Sequence, residues 1–272
     1  IIAPLKGSPA ERAGLKAGDK ILKINATSTA DLGLEEAVSF IRGEIGTPVT
    51  LVVSRDDADG VKEITVVRDT IVIPTLDTEE KGDGIRYIHL LNFNEKSAWE
   101  FRKTVRYFSA SGDKKLVLDL RSNPGGFLDA AVDIASWFLP AGEIVAREKL
   151  ADGSENLYRS SGYRTLEKVP VVVLVDQGSA SASEILAGAL RDIRGAKLIG
   201  HRTFGKGSVQ EVDALHGGAS LKITIAKWLT PNGVSINEKG LEPDITVEAK
   251  KADAEAGRDP VLEKGIELLK AL

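Results

Sequence analysis

A run of small residues, Gly178-Ser-Ala-Ser-Ala-Ser-Glu184, follows the apolar stretch Val171 to Val175 and opens a helix expected over Ser183 to Asp192. Such a turn puts a hydroxyl at a helix N-terminus, where free backbone N–H groups and the helix dipole favour a developing anion. The chemistry would be attack by a serine oxygen. The same residues also fit an ordinary cap, because serine is a preferred N-cap type. Downstream, Thr203-Phe-Gly-Lys-Gly207 sets Lys206 between two glycines, with Gln210 four residues on. A lysine can take a serine proton when desolvation lowers its pKa from ~10.4 toward ~7–8, although most lysines are solvated. Gln210 would face the same side as Lys206 in a strand or a helix, where an amide can hold the amine without adding charge. The spacing is compatible with a Ser-Lys-Gln unit.

A second glycine-rich junction, Leu118-Asp-Leu-Arg-Ser-Asn-Pro-Gly-Gly126, also lies between an expected strand and helix. Paired glycines let main-chain amides face a ligand closely. The junction reads either as a tight turn or as half an oxyanion hole, with the Ala182 N–H as the other half. Histidine chemistry has less support. His89 sits inside an expected strand and reads as structural, His201 and His216 sit in loops, and no pair has metal-ligand spacing. Asp192 shares a helix face with Ser181, but eleven residues put it ~16 Å along the axis. It reads as a helix-end structural or substrate-side carboxylate.

These residues need a scaffold. The first segment reads as a small α/β module: an apolar start at Ile1-Ile2-Ala3, then a one-turn helix signed by Ser8, Pro9, Glu11 and Gly14. A strand follows at Lys20 to Ile24, then an amphipathic helix with Leu34, Ala37, Val38 and Ile41 on one face. Strands are expected at Val49 to Val53 and Ile64 to Ile73, with a hairpin tip at Asp56 to Gly60. From about residue 76 strands and helices alternate. Strands are expected at Tyr87 to Leu91, Leu116 to Leu120, Ile144 to Arg147, Val171 to Val175, Leu198 to Gly200, Leu221 to Trp228 and Ile245 to Val247. A helix stripe at Ala98, Phe101, Val105 and Phe108 and a helix over Leu128 to Phe138 complete an α/β layered core. Lys250 to Leu272 reads as a polar tail with a surface or assembly helix.

Composition narrows the function classes. The 272 residues carry 36 basic against 40 acidic side chains, a net charge of −4, with the signs interspersed. A nucleic-acid groove or an anionic membrane surface would want a basic stripe. No apolar run approaches the ~20 residues of a membrane span. Cysteine is absent, which removes disulfides, thiolate metal sites and a cysteine nucleophile. Methionine is absent too, so Ile1 reads as the start of a processed or trimmed chain.

Four blocks in order, Asp119-Leu-Arg-Ser-Asn-Pro-Gly-Gly126, Gly178 to Glu184, Thr203 to Gly207 with Gln210, and Gly240-Leu-Glu-Pro-Asp244, resemble the carboxyl-terminal processing (tail-specific) serine proteases. The opening Gly7-Ser-Pro-Ala-Glu-Arg-Ala-Gly-Leu-Lys-Ala-Gly-Asp-Lys-Ile-Leu-Lys-Ile-Asn25 resembles the PDZ domain such proteases carry. The likeness runs from about Ile1 to Val247. It implies a PDZ domain over 1–70, a crotonase/Clp-like α/β protease core over 71–249, and a C-terminal tail and helix over 250–272. It also implies Ser181 as nucleophile, Lys206 as general base and Gln210 as the residue that positions it. Oxyanion amides would come from Ala182 and from Gly125 or Gly126, and no metal or organic cofactor is required.

The resemblance implies a serine endopeptidase acting near the C-termini of polypeptides, in an extracytoplasmic, periplasmic or cell-envelope setting, and allows a homo-oligomer. Partners would be polypeptides bound by their C-terminal segments, with no nucleic acid. Leu34, Val38 and Ile41 would form the helix wall of the PDZ groove. Ile1-Ile2-Ala3-Pro4 matches the strand after the family's carboxylate loop, so the first strand and that loop are expected to be missing. Two rivals stand beside this reading. One is a PDZ-bearing scaffold with an inert core, and the other is a crotonase-like acyl-CoA enzyme built on the Gly125-Gly126 turn.

Overall fold

In Lys115–Asp119 and Val171–Val175 apolar residues occupy successive positions, so side chains leave for both faces and each face needs a cover. The computed structural model shows those covers. It describes the chain except for residues 2, 3, 5, 6, 17, 56–59, 72, 73, 215–219, 250–252, 254 and 255. The apolar start at Ile2 and Ala3, the hairpin tip at 56–59, the end of the strand expected to reach 73, the head of the tail at Lys250 and His216 lie outside the described residues. The α/β chain divides into two compact units, Ile1–Ile73 and Pro74–Leu272.

The first unit begins with α1 (Pro9–Arg12), where the Ser8 side chain accepts the Glu11 amide and Gly14 takes a left-handed φ of 89° just past the helix end. Then come β1 (Lys20–Ile24), β2 (Thr27–Ser28), α2 (Leu34–Ile41), β3 (Pro48–Ser54) and β4 (Val61–Val67). The four strands form one antiparallel sheet in the order β2-β1-β3-β4. Leu15, Ile24, Val49, Leu51, Val53 and Val66 make its core. The strand expected over Ile64 to Ile73 is shifted, because the chain leaves the sheet after Val67. Arg68 turns back and donates to the Ile41 and Phe40 carbonyls at 2.8 and 3.1 Å, satisfying the end of α2. The apolar stripe of α2 is also narrower than expected. Ala37 and Ile41 pack on the core, whereas Leu34 is 82% exposed.

The second unit runs β5 (Leu76–Glu80), β6 (Ile85–Leu90), α3 (Ser97–Ser111), β7 (Lys115–Asp119), α4 (Leu128–Ala135), β8 (Ile144–Leu150) and β9 (Glu155–Arg159). It continues with β10 (Val171–Val175), α5 (Ala182–Arg194), β11 (Lys197–Gly200), β12 (Ser208–Ala214), β13 (Ser220–Leu229), β14 (Ile245–Thr246) and α6 (Pro260–Lys270). A six-stranded sheet, β14-β11-β10-β7-β6-β5, is parallel except at its β5 edge, and β12-β13-β8-β9 form an antiparallel sheet. Leu116, Leu118, Val171, Val173 and Val175 point to the layer of α3, α4 and α5. Val117, Val172, Leu174 and Ile199 point the other way, onto Val261 and Leu269 of α6. The C-terminal helix is therefore a core layer and not the surface element its polar sequence implies. No helix among the described residues is long and apolar enough to cross a membrane.

Candidate active site

Because β7 and β10 are parallel neighbours, the turns that follow them lie side by side at the C-terminal end of the sheet. After β10 the chain enters α5 through Ser181, whose φ of 56° and ψ of −114° are unusual for a residue with a side chain. Glu184, fully buried one turn into α5, holds this elbow. Its Oε2 accepts the Ser181 amide at 2.8 Å and the Lys206 amide at 3.0 Å. Its Oε1 accepts the Thr203 hydroxyl at 2.5 Å and the Gly205 amide at 2.7 Å. Two loops separated in sequence thus end on one carboxylate.

The turn after β7 packs directly on the elbow. A Cβ at Gly125, where φ is 94°, would lie 2.5 Å from the Ala180 carbonyl oxygen and 2.8 Å from the Ser181 Cβ. Only glycine allows that approach. Asn123 stitches the two turns together: its carbonyl accepts the Ala180 amide at 3.0 Å and the Ser183 hydroxyl at 2.9 Å. Asp176 adds a second stitch, accepting the Ser122 and Gly178 amides at 2.8 and 2.9 Å. The Gly125 N–H is already donated, to the Asn123 side-chain oxygen at 2.9 Å. The Gly126 and Ala182 N–H groups have no acceptor among the described residues.

Lys206 lies in the loop before β12. Its flanking glycines serve close packing, since a Cβ at Gly207 would lie 2.2 Å from the Asn237 amide and one at Gly205 3.0 Å from the Gly240 amide. The Gly240 to Asp244 block is thereby the backing of the lysine loop, and Asp244 accepts the Leu198 amide at 2.9 Å. Lys206 itself is exposed, against the expectation of burial. Gln210 is also exposed, on β12, at the point where a bulge shifts its pairing with β13. No side-chain hydrogen bond joins Lys206 to Gln210 among the described residues.

The other candidates fall outside this cluster. The His89 ring meets the Arg121 carbonyl at 3.3 Å, and His201 lies 3.9 Å from Glu248. Asp192 accepts the Thr230 hydroxyl at 2.5 Å and the Asn232 amide at 3.0 Å, which makes it the anchor of a turn at the end of α5. In the first unit a cavity of about 340 Å³ is bounded by Leu15, Ile41, Val49, Leu51 and Val66. Of the expected helix wall, Ile41 lines it, whereas Leu34 and Val38 do not.

Charge gathers just behind the glycine turn. Asp119, fully buried, accepts the Tyr87 hydroxyl at 2.8 Å and pairs with Arg121, whose guanidinium also reaches Asp259. Burial, then the Asp119 charge, pushes the Tyr87 hydroxyl well above its ordinary range. Burial works against the Arg121 charge, but its bonds to Asp119 and Asp259 outweigh it and hold the guanidinium ionised. Burial likewise opposes ionisation of Asp259, and the Arg121 hydrogen bonds reverse that, lowering its pKa.

Glu184 and Asn123 lie inside the motifs that mark the site but carry no assigned role there, and Asp176 lies outside those motifs. The Ser-x-x-Glu spacing of a capping box was the available signal for Glu184. Its distant donors, at 203–206, had none.

Comparison with known proteins follows the same two units. The model of peptidase family S41 matches residues 84–247, and a PDZ domain model matches residues 1–55. The carboxy-terminal processing protease CtpA of Bacillus subtilis is 38% identical over 248 residues, 91% of this chain and 53% of that protein. A carboxyl-terminal-processing protease of Picosynechococcus is 42% identical over 250 residues, 91% of this chain and 60% of that protein. The chain thus spans about half the length of the curated relatives it matches. Among solved structures, the photosystem II D1 C-terminal processing protease superposes with a TM-score of 0.67 at 31% identity, over 91% of this chain and 67% of that one.

Proposed function

The chain belongs to peptidase family S41, and from that premise we propose that it is a serine endopeptidase cleaving polypeptides near their C-termini. Ser181 is the nucleophile, Lys206 the general base and Gln210 the residue that orients the amine. The observation that carries the reading is the buried Glu184 carboxylate, which holds the Ser181 elbow and the Lys206 loop on one oxygen atom. A scaffold with an inert core has no use for a strained serine so held.

The steps balance without a cofactor. The neutral Lys206 amine takes the hydroxyl proton as Ser181 Oγ bonds to the scissile carbonyl carbon. The oxyanion that forms is met by the Ala182 and Gly126 N–H groups, which have no acceptor among the described residues. Gly125, whose N–H is committed to Asn123, supplies the close approach instead. The C–N bond then breaks, the leaving amine takes the proton from Lys206, and water hydrolyses the acyl-enzyme. Substrate laid over the site excludes water from Lys206. Capture of a polypeptide tail is assigned to the PDZ unit, and an extracytoplasmic setting follows from the family alone.

The test is cleavage of a polypeptide carrying a C-terminal tag, together with fluorophosphonate labelling of the chain. Labelling and cleavage should both vanish in Ser181→Ala. Cleavage that persists in this variant after repurification overturns the assignment, and a wild-type chain that takes no label favours the inert scaffold.

A further inference from the structure

The C-terminal helix α6 lies beyond the residues that match the family, yet one of its side chains reaches the turn that faces Ser181. Asp259 caps the helix, accepting the Leu262 amide at 3.1 Å. The same carboxylate takes a two-pronged pair of bonds from Arg121, Nη1 to Oδ1 at 2.8 Å and Nη2 to Oδ2 at 2.7 Å. This planar fork fixes direction as well as distance.

Arg121 is the residue from which the glycine turn departs. It is held from behind by Asp119, through Nε at 3.0 Å, Nη2 at 2.6 Å and its own amide at 2.9 Å. Its carbonyl rests against the His89 ring. The next residue, Ser122, takes a φ of 56°, and three residues later Gly125 meets Ser181. A short path therefore runs from α6 through Arg121 and Asn123 to the Ala180 amide. Asp119 grips one edge of the guanidinium and the Asp259 fork the other, so the group from which the turn departs is clamped between two carboxylates.

We propose that Asp259 is a positioning residue for the oxyanion amide, acting from α6 through Arg121 on the turn that carries Gly125 and Gly126. The proposal rests on the reading of Ser181 as nucleophile. Asp259 touches no substrate. Its effect is to keep the Gly126 N–H aimed at the oxyanion, a contact that strengthens in the transition state and contributes little to ground-state binding.

The experiment uses the full chain with Asp259 replaced by Asn, Ala or Glu. Asp259→Asn is the informative variant, because asparagine caps a helix about as well as aspartate while removing the charged fork. Measurements are made at a temperature where circular dichroism shows every variant folded. Asp259→Asn should slow fluorophosphonate labelling of Ser181 about tenfold and lower kcat by a similar factor with KM unchanged. Asp259→Glu, which keeps the charge, should recover most of the loss. Asp259→Ala, should it fail to fold, leaves the other two variants decisive. Labelling and kcat equal to wild type in Asp259→Asn overturn the proposal, as does a loss that tracks the unfolded fraction or appears in KM. If wild type itself takes no label at Ser181, the reading of the nucleophile has failed first.

Discussion

The Glu184 carboxylate and the Lys206 amide meet at 3.0 Å across 22 residues of sequence. The oxygen that makes this bond also holds the Ser181 amide. The main chain under the proposed base and the main chain under the proposed nucleophile are therefore fixed to one point, while the lysine side chain keeps its freedom. A carboxylate suits this post because all four of its partners are donors, and it has acceptor positions for each.

Replacing Glu184 with glutamine puts an NH₂ group against two of those donors. Each donor left unsatisfied in a buried site costs about 1–3 kcal/mol. Glu184→Gln should therefore melt several degrees below wild type and lose about tenfold or more in fluorophosphonate labelling. Unchanged melting together with unchanged labelling would show that the carboxylate is dispensable.

Ser181→Ala and Lys206→Ala should each abolish peptide cleavage while leaving the circular dichroism spectrum intact. The double variant should be no worse than either single one, because residues of one proton-transfer unit do not contribute additively. Losses that multiply in the double variant would separate the two roles.

Gly125→Ala forces a methyl group toward the Ala180 carbonyl and the Ser181 Cβ, and does so at a φ of 94°. Labelling should fall below detection, with a lower melting temperature. Gly153→Ala is the control: its φ of 87° is similar, but no atom lies within 4 Å of the new methyl. It should cost only the backbone strain, about 1–2 kcal/mol, and leave labelling untouched. Equal labelling in the two variants would remove the elbow contact from the account.

In the first unit Asp19 is fully buried and bound by Arg55 at 2.6 Å. The Arg55 hydrogen bonds outweigh the burial that opposes ionisation, and the carboxyl falls from its ordinary 3.8 to about 2. The pair's stabilisation is present in full above the ordinary value and is lost as pH falls through about 2. Asp19→Asn should accordingly be less stable than wild type at neutral pH, with the gap closing in acid. The three tryptophans all lie in the second unit, so amide hydrogen exchange of the first is the measurement. A gap as wide at pH 2 as at pH 7 would exclude the pair as its cause.

Turn and cap chemistry made the site legible. Gly178 to Glu184 and Asn123 to Gly126 are local signals, since each needs its glycines and hydroxyls within a few residues of the strand end it follows. The buried strands Lys115–Asp119 and Val171–Val175 were equally plain from their apolar runs. Polar strands were not. Leu76–Glu80 and Glu155–Arg159 pair through their backbones along sheet edges and show no apolar alternation to read. Helix α6 deceived for a related reason. Its buried residues, Val261, Gly265 and Leu269, are one per turn, a stripe too thin to stand out among charged neighbours. Side chains joined over long separations, such as Asp259 with Arg121, leave no periodic trace at all.

The place of α6 has a consequence for biosynthesis. Residues 260–270 leave the ribosome after every strand of the sheet they cover has been made. Until then Val117, Val172, Leu174 and Ile199 present an open apolar face, the kind of transient surface on which nascent chains associate. Ribosome-stalled chains ending near residue 249 should bind a hydrophobic dye and need a chaperone to stay dispersed, and chains carrying α6 should not. Helix α6 would then act as the latch that ends this vulnerable interval.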